Sequence, residues 1–235
     1  MYVERLGAGP RLVLVHGSVT SGSVTWAAQR SLADRFELMI VERPGYAPNP
    51  PLPAIDFEIQ AAELAAVLEP GDHLVGHSYG GVICLLAAVR APLGSLTVIE
   101  PPALSVARGH PAVEDFLQGV SRAPRDPRGY LEHFLPLVGS RLNLPDPLPP
   151  QLDAAAKAAL VERSPHEAEI PLDDLAAERF AKLVVSGAHN TAFDAICDIL
   201  EQRIGAERAV VAGAGHGIPR VPEFNDVLTR FLARV

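Results

Sequence analysis

Short runs of consecutive apolar residues recur along the chain, and longer stretches with apolar residues three and four apart fill the gaps between them. The short runs are Arg11–Val15, Glu37–Val41, His73–Val75, Leu96–Ile99, Lys182–Val185 and Ala209–Val211. Such runs, bounded by turn residues, read as strands buried on both faces. Thr25–Arg35, Ile55–Leu68, Gly81–Ala91, Ala192–Ile204 and Glu223–Arg234 read as helices with one apolar face. Strands alternating with helices predict an α/β fold whose mostly parallel central sheet is flanked by helices. Tyr2–Leu6 is expected to add an antiparallel edge strand through the turn at Gly7–Pro10.

The alternation stops between Pro101 and Pro171. This stretch holds 12 of the 22 prolines, shows no strand pattern, and carries short helical patterns at Ala112–Val120, Tyr130–Val138 and Gln151–Glu162. It is too long for an ordinary loop. The expected division is a core of residues 1–100 and 181–235 with a helical cap over 101–180. Leu144–Pro150 reads as a stiff Pro-rich connector inside the cap.

Composition narrows the partners. The chain has 235 residues, 48% of them hydrophobic and 20% charged, with a net charge of −8. That is a globular composition without a basic block, which argues against nucleic acid or an anionic membrane as partner and leaves a small molecule. Cys84 and Cys197 sit in apolar helical patterns and read as buried free thiols. The first apolar run is too short for a signal segment, so a cytoplasmic location is expected. No dinucleotide fingerprint, Walker motif or zinc-ligand spacing is found, so no cofactor and no metal are expected.

Three places carry chemistry. Gly76-His77-Ser78-Tyr79-Gly80-Gly81 fits G-x-S-x-G and lies between a predicted strand and a predicted helix, the context in which a serine sits exposed on a strained turn. His16-Gly17-Ser18 follows the strand Arg11–Val15, where a Gly turn can aim a backbone N–H at a developing oxyanion. The donors are expected from Ser18, or alternatively Val19, together with Tyr79. The His16 side chain is expected to brace the turn. Gly213-Ala214-Gly215-His216-Gly217 leaves His216 free to reach a neighbouring strand end as a general base.

Together these motifs resemble the α/β-hydrolase superfamily over Val3–Pro101 and Ala181–Val235. The resemblance implies that Ser78 attacks a carbonyl, that His216 moves the proton, and that an acid holds the imidazole. The sequence departs from the family at the acid. The family's usual position, after the strand Lys182–Val185, holds Asn190 within Gly187-Ala188-His189-Asn190. Glu100, at the end of Leu96–Ile99, matches the strand end where some members, certain haloalkane dehalogenases among them, place their acid. Asp194 is a further alternative, although Thr191-x-x-Asp194 also reads as a capping box. Glu100 is favoured, with Asn190 and Asp194 left open.

Arg43, in the turn Glu42–Tyr46, is expected to pair with a carboxylate. Trp26, Phe116, Phe134 and Leu135 are candidates for an apolar acyl pocket, with Tyr79 beside the nucleophile, and His189 is a candidate substrate contact. His110, His133 and His166 read as surface residues. The expected function is a carboxylesterase-like serine hydrolase acting on an ester, thioester or lactone of a small, fairly apolar molecule. The alternative, motivated by Asn190, is a ligand-binding protein or sensor with weak or lost turnover.

Overall fold

The computed structural model describes residues 1–140 and 142–235. Its strands are β1 (Tyr2–Leu6), β2 (Arg11–Val15), β3 (Glu37–Glu42), β4 (His73–His77), β5 (Ser95–Ile99), β6 (Ala181–Ser186) and β7 (Glu207–Val210). They form a seven-stranded sheet in the order β1-β3-β2-β4-β5-β6-β7. β1 runs antiparallel to β3, and every other pairing is parallel.

Alternation along the strands divides the core in two, because successive side chains point to opposite faces. Val13 and Val15, with Leu74, Val98 and Val184, face one layer, and Leu12 and Leu14, with Val75, Ile99 and Val185, face the other. The first layer is closed by α2 (Phe57–Ala65), α3 (Tyr79–Ala88) and α8 (Thr191–Ile204). The second is closed by α9 (Pro222–Leu232) and a 3-10 turn at Ala28–Asp34. Burial on both faces explains why the strands are uninterrupted apolar runs.

Two readings of the pattern are corrected. Thr25–Arg35 is not one helix. The four-residue α1 (Gly22–Thr25) ends there, and the 3-10 turn at Ala28–Asp34 follows. That break drops Trp26 onto the α9 side of the sheet, fully buried with Phe224 and Phe231 and away from both cavities described below. The last strand is Glu207–Val210 rather than Ala209–Val211.

Between β5 and β6 the chain forms α4 (Pro111–Ser121), α5 (Pro127–Leu137), α6 (Pro150–Ala159) and α7 (Leu172–Ala177). Proline stands first in α4, α5 and α6, where its missing N–H costs nothing and its fixed φ suits the helix. α4 packs against α8 through Phe116 and Phe193, whose ring centroids lie 5.3 Å apart. The segment after α6 pairs with the core. The N–H of Ile55 donates to Val161 O at 2.9 Å, and that of Arg163 to Ile55 O at 2.7 Å. None of the helices among the described residues is long and apolar enough to cross a membrane.

Candidate active site

The parallel strands end on one side of the sheet, the side where α/β proteins gather their ligands. Ser78 follows β4 and caps α3 with φ 53° and ψ −127°, a strained conformation for a residue with a side chain. Close packing enforces the turn. A Cβ on Gly80 would lie 2.4 Å from His16 O, so only glycine lets α3 approach the end of β2. A Cβ on Gly17 would lie 2.7 Å from Ser78 Cβ, so the loop after β2 rests directly on the serine.

His16 braces that loop. The N–H of Arg43 donates to His16 Nε2 at 3.1 Å, which leaves the ring proton on Nδ1 to donate to Gly17 O at 2.7 Å. Burial holds the His16 pKa well below its ordinary value, so the ring is neutral. The loop carries Ser18 and then Val19 at φ 62°. The backbone N–H groups of Ser18, Val19 and Tyr79 have no acceptor among the described residues.

Glu100 is fully buried at the end of β5, with φ 42°. Its Oε1 accepts the Gly187 N–H at 2.7 Å. Its Oε2 accepts twice, from His216 Nδ1 at 2.7 Å and from His189 Nε2 at 3.0 Å. The donation from Nδ1 fixes the His216 tautomer and leaves Nε2 with a free lone pair. His77 Nε2 donates to the backbone O of His216 at 2.8 Å, and the Phe193 ring stacks on the His216 ring with centroids 4.7 Å apart. Burial raises Glu100 to about 7, against the lowering pull of the Gly187 N–H and His189. Burial lowers His216, with His189 and Arg220 adding to the effect, so the imidazole is neutral at neutral pH.

The other two acid candidates are engaged elsewhere. Asn190 is the N-cap of α8. Its Oδ1 accepts the Ala192 N–H at 2.9 Å and its Nδ2 donates to Leu137 O at 2.9 Å. Asp194 accepts Ser186 Oγ at 2.7 Å and lies 3.6 Å from Arg208. Neither is bonded to His216. His189 turns towards Glu100 and lines neither cavity described below. The ligand-type atoms of Glu100, His189 and His216 lie within 4.8 Å of one another, but a cation would have to displace both ring N–H protons to bind there.

Two cavities meet at Ser78. The larger, about 780 Å³, runs under the cap and is lined by Phe116, Phe134, Leu117, Val138, Leu160 and Phe193, with Tyr79 and Ser18 near the serine. The smaller, about 100 Å³, is lined by Ser78, His216, Leu135, Val19, Thr20 and Arg220. Phe116 and Phe134 line the large cavity, Leu135 lines the small one, and Trp26 lines neither.

The carboxylate partner of Arg43 is Glu162, a residue that sequence reasoning missed. Arg43 Nη2 donates to Glu162 Oε1 at 2.7 Å, and Tyr46 OH donates to the same oxygen at 2.8 Å. Ser18 Oγ donates to Glu162 Oε2 at 2.5 Å. A buried acid of the cap therefore neutralises a buried cation of the core and holds the side chain of the loop beside Ser78. No motif marks Glu162, because the contact joins residues more than a hundred positions apart.

Comparison with known proteins shows the family and the fold. Residues 12–227 match the model of the alpha/beta hydrolase family. The chain is 34% identical over 110 residues to a pimeloyl-[acyl-carrier protein] methyl ester esterase of Aeromonas hydrophila, covering 45% of this chain and 43% of that one. It is 34% identical over 146 residues to the protein of that name from Xanthomonas axonopodis pv. citri, covering 58% and 56%. The matched segments thus span about half the length of these curated relatives. Among solved structures, MenH from S. aureus superposes with a TM-score of 0.77 over 99% of this chain and 98% of that one, at 18% identity. A serine strained between strand and helix, a late histidine tied to a buried acid, and a family match over most of the length lead to one conclusion: this chain belongs to the alpha/beta hydrolase family.

Proposed function

We propose that the protein is a serine esterase acting on small, fairly apolar acyl esters, with thioesters and lactones within reach of the same chemistry. The observation that carries this reading is that Ser78, on its strained turn, and His216, whose Nδ1 is held 2.7 Å from Glu100, line one small cavity. Ser78 Oγ adds to the substrate carbonyl carbon while His216 Nε2 takes its proton. The carbonyl oxygen becomes an oxyanion, received by the N–H groups of Ser18 and Tyr79. The C–O bond to the alcohol breaks, the leaving oxygen takes the proton from His216, and an acyl-Ser78 ester remains. Water, giving its proton to the same imidazole, then adds to that ester, and the carboxylic acid leaves as the proton returns to Ser78.

Glu100 stabilises the imidazolium and fixes its ring, while the apolar cavity under the cap receives the acyl chain. The esterase names of the relatives support an ester substrate. The ground for a binding-only reading is Asn190, and that side chain caps α8. The test is hydrolysis of p-nitrophenyl esters from acetate to octanoate by wild type and Ser78→Ala. The expected result is multiple turnovers in wild type and none above background in the variant. Equal rates in both would overturn the assignment.

A further inference from the structure

The two cavities that meet at Ser78 differ in chemistry as well as size. His216 lines the smaller one and not the larger. If His216 returns the proton to the leaving oxygen, the alcohol part of the ester must lie on the His216 side. This assigns the small cavity to the alcohol and the large cavity to the acyl chain, an assignment that rests on the mechanism above.

The small cavity contains one permanent charge, Arg220, in the 3-10 turn Ile218–Arg220 just after His216. The residue is exposed, and its guanidinium makes one polar contact among the described residues, from Nη2 to Thr20 Oγ1 at 3.5 Å. Other lining groups there are neutral: the rings of His77 and His216 and the hydroxyls of Thr20 and Ser140. In the large cavity Glu162 is neutralised by Arg43, Lys157 by Asp153 and Arg163 by Asp56 and Glu58. Arg125, exposed as Arg220 is, lies between α4 and α5, whereas Arg220 follows His216 by four residues. A guanidinium without a carboxylate partner among the described residues, lining the cavity that Ser78 and His216 share, is suited to an anion on the substrate.

We propose that the small cavity is an anion-recognising leaving-group subsite, and that the preferred substrates are esters of short alcohols bearing a carboxylate or phosphate, which Arg220 binds. The acyl chain supplies apolar contact under the cap, and the anion on the alcohol sets orientation at the serine.

The test compares two butanoate esters of nearly equal shape, carboxymethyl butanoate and its neutral amide counterpart carbamoylmethyl butanoate. Rates are read by release of acid for wild type, Arg220→Gln and Arg220→Lys. A charge-assisted hydrogen bond corresponds to a preference of about tenfold or more, so kcat/KM for the anionic ester should exceed that for the neutral one by this factor in wild type. The ratio should fall to near one in Arg220→Gln and be partly kept in Arg220→Lys. Methyl hydrogen succinate, with its anion on the acyl side, should change in Arg220→Gln only by the factor seen for the neutral ester. A wild-type ratio near one, a ratio that survives Arg220→Gln, or an Arg220 dependence confined to the succinate ester would overturn the proposal. Failure of the underlying mechanism is told apart by the p-nitrophenyl assay. If Ser78→Ala retains that activity, the mechanism is wrong. If activity depends on Ser78 and no anion preference exists, only the subsite assignment is wrong.

Discussion

At the scale of single residues, the decisive arrangement is one carboxylate oxygen shared by two imidazoles. Glu100 Oε2 takes His216 Nδ1–H and His189 Nε2–H, while Asn190, at the family's usual acid position, is spent on capping and on Leu137. Glu100→Gln should therefore lower kcat on the order of 10³- to 10⁴-fold, as loss of the charged partner does in serine proteases, and Asn190→Ala should leave kcat within a few-fold. The reverse ranking in a p-nitrophenyl butanoate assay would remove Glu100 from the mechanism. The pH profile follows from the same contacts. Catalysis needs the carboxylate charged and the imidazole neutral, so activity is present at high pH and lost as pH falls through the region of about 7 to which burial raises Glu100. His189 donates to that charge, as does the Gly187 N–H, with Arg208 adding attraction and Asp194 opposing it. His189→Phe should shift the acid limb of kcat/KM to higher pH, and His189→Gln, which keeps an N–H, should shift it less. An unchanged limb in both would give His189 a packing role alone.

At the scale of elements, the sequence made Ser78, His216 and Glu100 candidates because each follows a strand, and strand ends are legible from apolar runs bounded by turn residues. Thr25–Arg35 was misread because three-to-four spacing does not distinguish an α-helix from a short turn followed by 3-10 structure. Trp26 was misplaced with it, since a large ring on a supposed helix face points wherever the backbone breaks. Glu162 was invisible for a different reason. Its partners Arg43, Tyr46 and Ser18 come from two other loops, and no local pattern encodes a contact made only by tertiary packing. Removing one partner of a buried ion pair leaves the other charge unmatched. Glu162→Ala should thus cost roughly 3–5 kcal/mol and lower Tm by roughly 6–20 °C in thermal unfolding. It should also slow turnover by freeing the Ser18 loop. A variant as stable as wild type would show that water takes over the role of Glu162.

At the scale of the whole molecule, an α/β core was readable because burying a parallel sheet on both faces forces continuous apolar strands. The packing of the cap was not readable, because short helices with similar apolar faces can be docked in several ways. In the structure α4 lies on α8 and α5 on α6, and the space between cap and core is the large cavity. Val120 lines that cavity from α4, so Val120→Phe should shorten the preferred acyl chain. The optimum in the p-nitrophenyl series should move towards acetate with little change in the acetate rate. An unchanged profile would place the acyl chain elsewhere.

The ion pair between Arg43 and Glu162 also limits how this molecule can be rebuilt. Caps are the natural units to exchange when a new specificity is sought, and the two seams after β5 and before β6 look like convenient places to graft one. A donor cap without an acid at the place of Glu162 would strand a guanidinium inside the core and loosen the loop beside the nucleophile. Successful chimeras will therefore be those that carry this carboxylate with them, or that replace Arg43 by an apolar residue in the same step.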